Sequence, residues 1–99
     1  MTNLTKLQEE VREYDRRYGW DNDKESHIVI HMSEELGEIS RRILRLEGYK
    51  TEEFSREELA WELVDLLYLT LKLANKFNLN MEEEWRASFE RYEKKGSRR

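Results

Sequence analysis

The 99-residue chain has no cysteine, no proline and only four glycines. Without cysteine there is no disulfide and no thiolate chemistry. Without proline nothing forces a helix to break. No apolar run is long enough to span a bilayer and no signal-peptide pattern opens the chain, so a cytoplasmic protein is expected. Surplus positive charge is missing too. A formal net charge of -4 argues against nonspecific binding to duplex nucleic acid. A polyanionic ligand such as a nucleotide then needs metal ions or a local basic patch to approach.

Charge and helical periodicity are what the chain has. Charged residues make up 40% and hydrophobic ones 37%, with a mean hydropathy of -1.01, polar for a globular protein. Aromatic residues at 11% and a regular apolar spacing argue against disorder. The length fits one domain, residues 1–99, with a modest core. The expected fold is all-α: a four-helix bundle-like protomer that completes its core by oligomerisation.

Four helical segments are predicted. The first runs from Leu4 to Tyr18, with Leu4, Leu7, Val11, Tyr14 and Tyr18 on one stripe and Gly19 as its stop. After a "GWDND" loop, the second runs from Glu25 to Glu47 with Ile28, Met32, Leu36, Ile39, Ile43 and Leu46 on one face, ending at Gly48. Ser55 and Glu58 resemble a capping box for the third, "REELAWELVDLLYLTLKLANKF", which is apolar on nearly every side. Asn80 caps the fourth, and Trp85, Phe89 and Tyr92 form its stripe. The last residues, 96–99, read as a flexible basic tail.

Carboxylates are the candidate chemistry. Only four of the 22 acidic residues are aspartate, Asp15, Asp21, Asp23 and Asp65, so glutamate at any chosen spacing is common by chance. Glu34, Glu35 and Glu38 in "SEELGEIS" have the same EExxE spacing as Glu9, Glu10 and Glu13 in "EEVRE". The helical wheel places Glu35 on the flank of the apolar face, Glu38 further round beside His31 and Arg42, and Glu34 nearly opposite the core. It does not reject the first-helix repeat.

The third helix separates the two. Glu62 and Asp65 stand at i and i+3 in its apolar middle, where an unpaired carboxylate is costly and aspartate is a poor helix former. Pairing with Lys72, Lys76 or arginines of another helix would explain them. So would a hard divalent cation held by carboxylates of two facing helices. An all-carboxylate set favours Mg2+ or Mn2+ over zinc or iron.

"EELGE", a spacer from Ile39 to Trp61, and then "ELVD" resemble the EExxE…ExxD signature of the MazG-like, all-α nucleoside triphosphate pyrophosphohydrolases. The likeness runs from about "YGWD" to "NMEEEW". It implies a Mg2+-dependent enzyme, with Mn2+ able to substitute, that cleaves between the α and β phosphates to leave a nucleoside monophosphate and pyrophosphate. The implied metal ligands are Glu35, Glu38, Glu62 and Asp65. Glu34 fills the first glutamate of the motif and, with Glu35, is a candidate to assist the attacking water.

The resemblance also implies a base-stacking aromatic at Trp20, phosphate contacts from Lys94, Lys95, Arg98 and Arg99, and assembly as at least a dimer, with a tetramer favoured. Bland readings stand beside these. Trp20 packs over a helix end, the tail only solubilises, Tyr68 and Trp61 belong to core or interface, His31 caps the apolar face, and Arg42 balances charge. Two rivals remain: a non-catalytic helical dimerisation module, and a related pyrophosphatase acting on phosphoribosyl-ATP-like substrates.

Overall fold

The computed structural model describes residues 3–48 and 53–95. Four helices follow one another: α1 (Leu4–Tyr18), α2 (Glu25–Leu46), α3 (Arg56–Lys76) and α4 (Met81–Lys94). A short 3-10 turn, Trp20–Asn22, lies between α1 and α2. The described residues form an all-α bundle, as expected. None of their helices is long and apolar enough to cross a membrane.

Local chemistry sets the boundaries. Asn3 Oδ1 accepts from Lys6 N at 3.0 Å and so starts α1. Ser55 Oγ accepts from Glu58 N at 3.2 Å before α3, and Asn80 Oδ1 accepts from Glu83 N at 3.1 Å before α4. Each side chain satisfies one of the orphan amides of a helix start. Gly19 ends α1 at φ 73°, in the left-handed region that favours glycine.

The main pairing is the α2–α3 hairpin; α1 lies against α3, and α4 meets α1. The buried apolar set is small: Val11, Ile28, Leu69, Leu71 and Ala74. All three α3 members lie in its C-terminal half. The N-terminal half leaves Trp61, Leu63 and Val64 exposed, Trp61 at 62%, and Leu67 just past the middle is exposed as well. So α3 is not enclosed by its own chain, and Asp65 is exposed within it.

The inward face of α1 also departs from its apolar stripe. Gln8, Val11 and Asp15 are buried, while Leu7, Tyr14 and Tyr18 are exposed. Hydrogen bonding is the reason. Gln8 Nε2 donates to Asn75 Oδ1 at 2.9 Å and to the Leu79 carbonyl at 2.8 Å, and Gln8 Oε1 accepts from Met81 N at 2.8 Å. One amide thus ties α1 to the end of α3 and the start of α4. Glu82 completes this joint by accepting from Leu4 N at 2.8 Å. That backbone donor, with Arg86 nearby, holds the Glu82 carboxyl below its ordinary value. Tyr18 instead stacks with Trp20 at 5.2 Å between ring centroids, and Tyr14 meets Trp20 edge-on at 5.6 Å.

Candidate active site

Two antiparallel helices bring the carboxylates together. Glu35 comes from the middle of α2, and Glu62 and Asp65 from successive turns of α3. One oxygen of each lies within 4.8 Å of the others. The α2–α3 packing that buries Ile28 and Leu69 sets this approach. Glu35 Oε1 is buried and has no hydrogen-bond partner. Burial pushes the Glu35 carboxyl above its ordinary value, and the facing Glu62 and Asp65 add to the rise, with His31 opposing. Two ionised carboxylates share no proton, so this proximity is repulsive until a cation or a proton enters.

Glu62 differs from Glu35 because it has a cation of its own. Arg42 Nη2 donates to Glu62 Oε2 at 2.9 Å and Arg42 Nη1 to Glu58 Oε1 at 2.6 Å. The Arg42 bond holds the Glu62 carboxyl below its ordinary value despite partial burial. Arg42 therefore reaches across to α3, rather than balancing the flank of its own helix. His31 Nε2 stands 3.4 Å from Glu35 Oε2.

The other motif positions sit outside this triad. Glu38 is one turn along α2, with its carboxylate bonded to Arg41. Glu34 is exposed, and no described contact engages it. Trp20 stands in the 3-10 turn against Tyr14 and Tyr18. Lys94 and Lys95 are exposed at the end of α4, whose main contact is with α1. Arg98 and Arg99, with the rest of the 96–99 tail, lie outside the described residues.

A second polar group lies one turn further along α3, and sequence reasoning missed it. The Tyr68 hydroxyl donates to Asp15 Oδ1. Burial, with Asp15 beside it, pushes the Tyr68 phenol above its ordinary value. Lys72 Nζ donates to Asp23 Oδ2 at 2.6 Å and lies 4.0 Å from Asp15 Oδ1. A signal was available. Asp15 is, like Asp65, an aspartate inside a helix in a chain that otherwise chooses glutamate, and Lys72 interrupts the apolar run "LTLKLA".

The triad fits a hard divalent cation on its own chemistry. Its donors are all carboxylate oxygens, and one of them is buried without a partner. Residues 3–91 match the family model of phosphoribosyl-ATP pyrophosphohydrolases. The chain belongs to that family. It is one of the MazG-like all-α pyrophosphohydrolases, which are hydrolases of phosphorus-containing anhydrides that typically use a divalent metal. Comparison with curated proteins and with solved structures finds no match.

Proposed function

We propose that this pyrophosphohydrolase acts on the triphosphate end of a nucleotide, cleaving the α–β phosphoanhydride to release pyrophosphate. The observation that carries the reading is the convergence of Glu35, Glu62 and Asp65 within 4.8 Å, with a buried Glu35 oxygen left unpartnered. These three would hold Mg2+, or Mn2+ in its place. Glu38 joins them once its side chain leaves Arg41, an exchange between rotamers of an exposed ion pair that costs little. Bound there, the metal supplies charge neutralisation for the phosphates and a lower pKa for an attacking water.

The chain's own residues do the rest. Arg42 fixes the orientation of Glu62 through Oε2, leaving Oε1 for the site. Glu35, with one oxygen buried and unpartnered beside the triad, is the first candidate to take a proton from the attacking water. Glu34, uncommitted on the neighbouring position, is the second candidate for that task. Trp20 offers a face for a base. Lys94, Lys95 and Arg98 would reach phosphates of a site in a neighbouring chain.

Such sharing requires assembly, and a homo-oligomer, a tetramer by preference, is part of the proposal. The exposed Trp61, Leu63, Val64 and Leu67 of α3, with Trp85 and Phe89 of α4, form more apolar surface than a lone small protomer usually leaves open.

The test is pyrophosphate release from a panel of nucleoside triphosphates and phosphoribosyl-ATP, with Mg2+ or Mn2+. Asp65→Asn and Glu38→Gln are expected to abolish release with the helices intact. Glu10→Gln, in the first-helix repeat, is expected to retain it. Equal loss in all three variants would refute the site. No release from any nucleotide, with no metal-dependent stabilisation, would favour a non-catalytic module.

A further inference from the structure

The two glutamates of the triad each meet a polar side chain at Oε2. On α3, Glu62 Oε2 accepts from Arg42 Nη2 at 2.9 Å. On α2, Glu35 Oε2 stands 3.4 Å from His31 Nε2. The other oxygen of Glu35, Oε1, is buried and has no hydrogen-bond partner. His31 thus engages one oxygen of Glu35 and leaves the buried one for the site.

Helix geometry makes this contact. His31 and Glu35 are four residues apart on α2, so they share a face. Side chains of a helix lean towards its N-terminus, which brings Glu35 back over His31. The Glu35 side chain is 15% exposed and that of His31 is 55% exposed, so the imidazole lies at the rim of the site. There it also lines a recess of about 320 Å3, together with Asp23, Tyr68 and Lys72. Asp23, the other carboxylate of that recess, is paired with Lys72 Nζ at 2.6 Å.

Glu35 has reason to need a hold. Ionised Glu62 and Asp65 repel it, and a glutamate has rotatable bonds through which to swing out to solvent. Arg42 relieves Glu62 of that repulsion with a full charge. A neutral imidazole with its proton on Nε2 does something different for Glu35. It donates to Oε2 without adding a fixed charge that would oppose a cation.

We propose that His31 is a positioning residue of the metal centre, holding Glu35 through Oε2 so that Oε1 stays turned to the cation. The proposal rests on the reading above, in which Glu35, Glu62 and Asp65 take the metal. Hydrogen-bond partners of metal ligands typically change metal affinity by about 10- to 100-fold. The 3.4 Å approach is looser than the Arg42 contact, which places the expected effect at the lower end of that range. His27, one turn earlier on α2, is the internal control. It lines a smaller neighbouring recess of about 180 Å3, and among the described residues it makes no ion pair with the three carboxylates.

The test is Mg2+ and Mn2+ binding by the purified full chain without nucleotide, read by calorimetry and by the metal-dependent rise in Tm. His31→Leu and His31→Ala remove the N–H donor, and His31→Gln keeps one at a similar reach. His31→Leu and His31→Ala are expected to weaken metal binding about 10-fold. His31→Gln and His27→Leu are expected to stay close to the wild type. Unchanged binding in His31→Leu and His31→Ala would overturn the proposal. So would tighter binding, the sign of a charged imidazole that repels the cation. Equal losses in His31→Gln and His31→Leu would also overturn it, because the ring's packing and not its donor would then matter. In each of these cases the wild type still binds metal, and the metal reading stands. A wild type that binds neither ion would overturn that reading and the role of His31 with it. Should His31→Leu fail to fold, the comparison of His31→Ala with His31→Gln decides.

Discussion

Glu35→Gln is expected to make the metal-free protein more stable and to remove its stabilisation by Mg2+. The perturbation deletes one charge from three carboxylates whose oxygens lie within 4.8 Å. A pair of unit charges at that distance repels by about 1 kcal/mol at the dielectric of water and by more where water is excluded. Glu62 is already balanced by Arg42, and Asp65 is exposed, which keeps the total low. The metal-free gain is therefore about 1 kcal/mol, or roughly 4–8 °C in Tm for a domain of this size. Mg2+ at 100 times its Kd would add about 2.7 kcal/mol to the wild type and close to nothing to the variant.

The sign with pH follows from the raised Glu35 pKa. A carboxyl whose folded pKa lies above its unfolded value favours the fold most below the unfolded value. That contribution is lost as pH rises through the folded pKa. The gap between wild type and Glu35→Gln should therefore be full at neutral pH and close as pH falls through the Glu35 range, where both side chains are uncharged. Thermal unfolding followed by circular dichroism, with EDTA and then with Mg2+, measures each term. A metal-free Tm that falls in Glu35→Gln would refute the repulsion argument and make Glu35 a structural partner of His31.

Glu82 shows the opposite sign: its folded pKa is lowered, so its contribution is present above the ordinary value of 4.5 and lost as pH falls through the folded pKa. Glu82→Gln should lower the urea midpoint at pH 7 and leave it unchanged in strong acid. Ser55→Ala removes the α3 cap and is expected to cost about 1 kcal/mol in urea unfolding, with little effect on pyrophosphate release. Val64→Lys places a charge in the exposed apolar half of α3, and light scattering should then show a smaller assembly than the wild type. A wild-type chain that is monomeric at micromolar concentration would refute the assembly proposal.

The sequence by itself determined the four helices and most of their ends. These depend on contacts three or four residues apart, such as Asn80 with Glu83, Ser55 with Glu58, and the left-handed Gly19. The ExxD half of the site was legible for the same reason, since an aspartate inside an apolar helix is a local anomaly.

Tertiary structure decided which carboxylates meet. EExxE occurs twice, and only the α2–α3 packing carries Glu35 to Glu62 and Asp65 while Glu38 stays with Arg41 and Glu34 stays exposed. It also decided the inward face of α1, where Gln8 and Asp15 displace Leu7 and Tyr14 because their partners are Asn75, Leu79, Met81 and Tyr68. The polar group of Asp15, Tyr68, Lys72 and Asp23 was hidden for the same reason. Lys72 and Asp23 are 49 residues apart, and hydrophobic periodicity shows which residues are apolar but not which distant polar groups will satisfy one another.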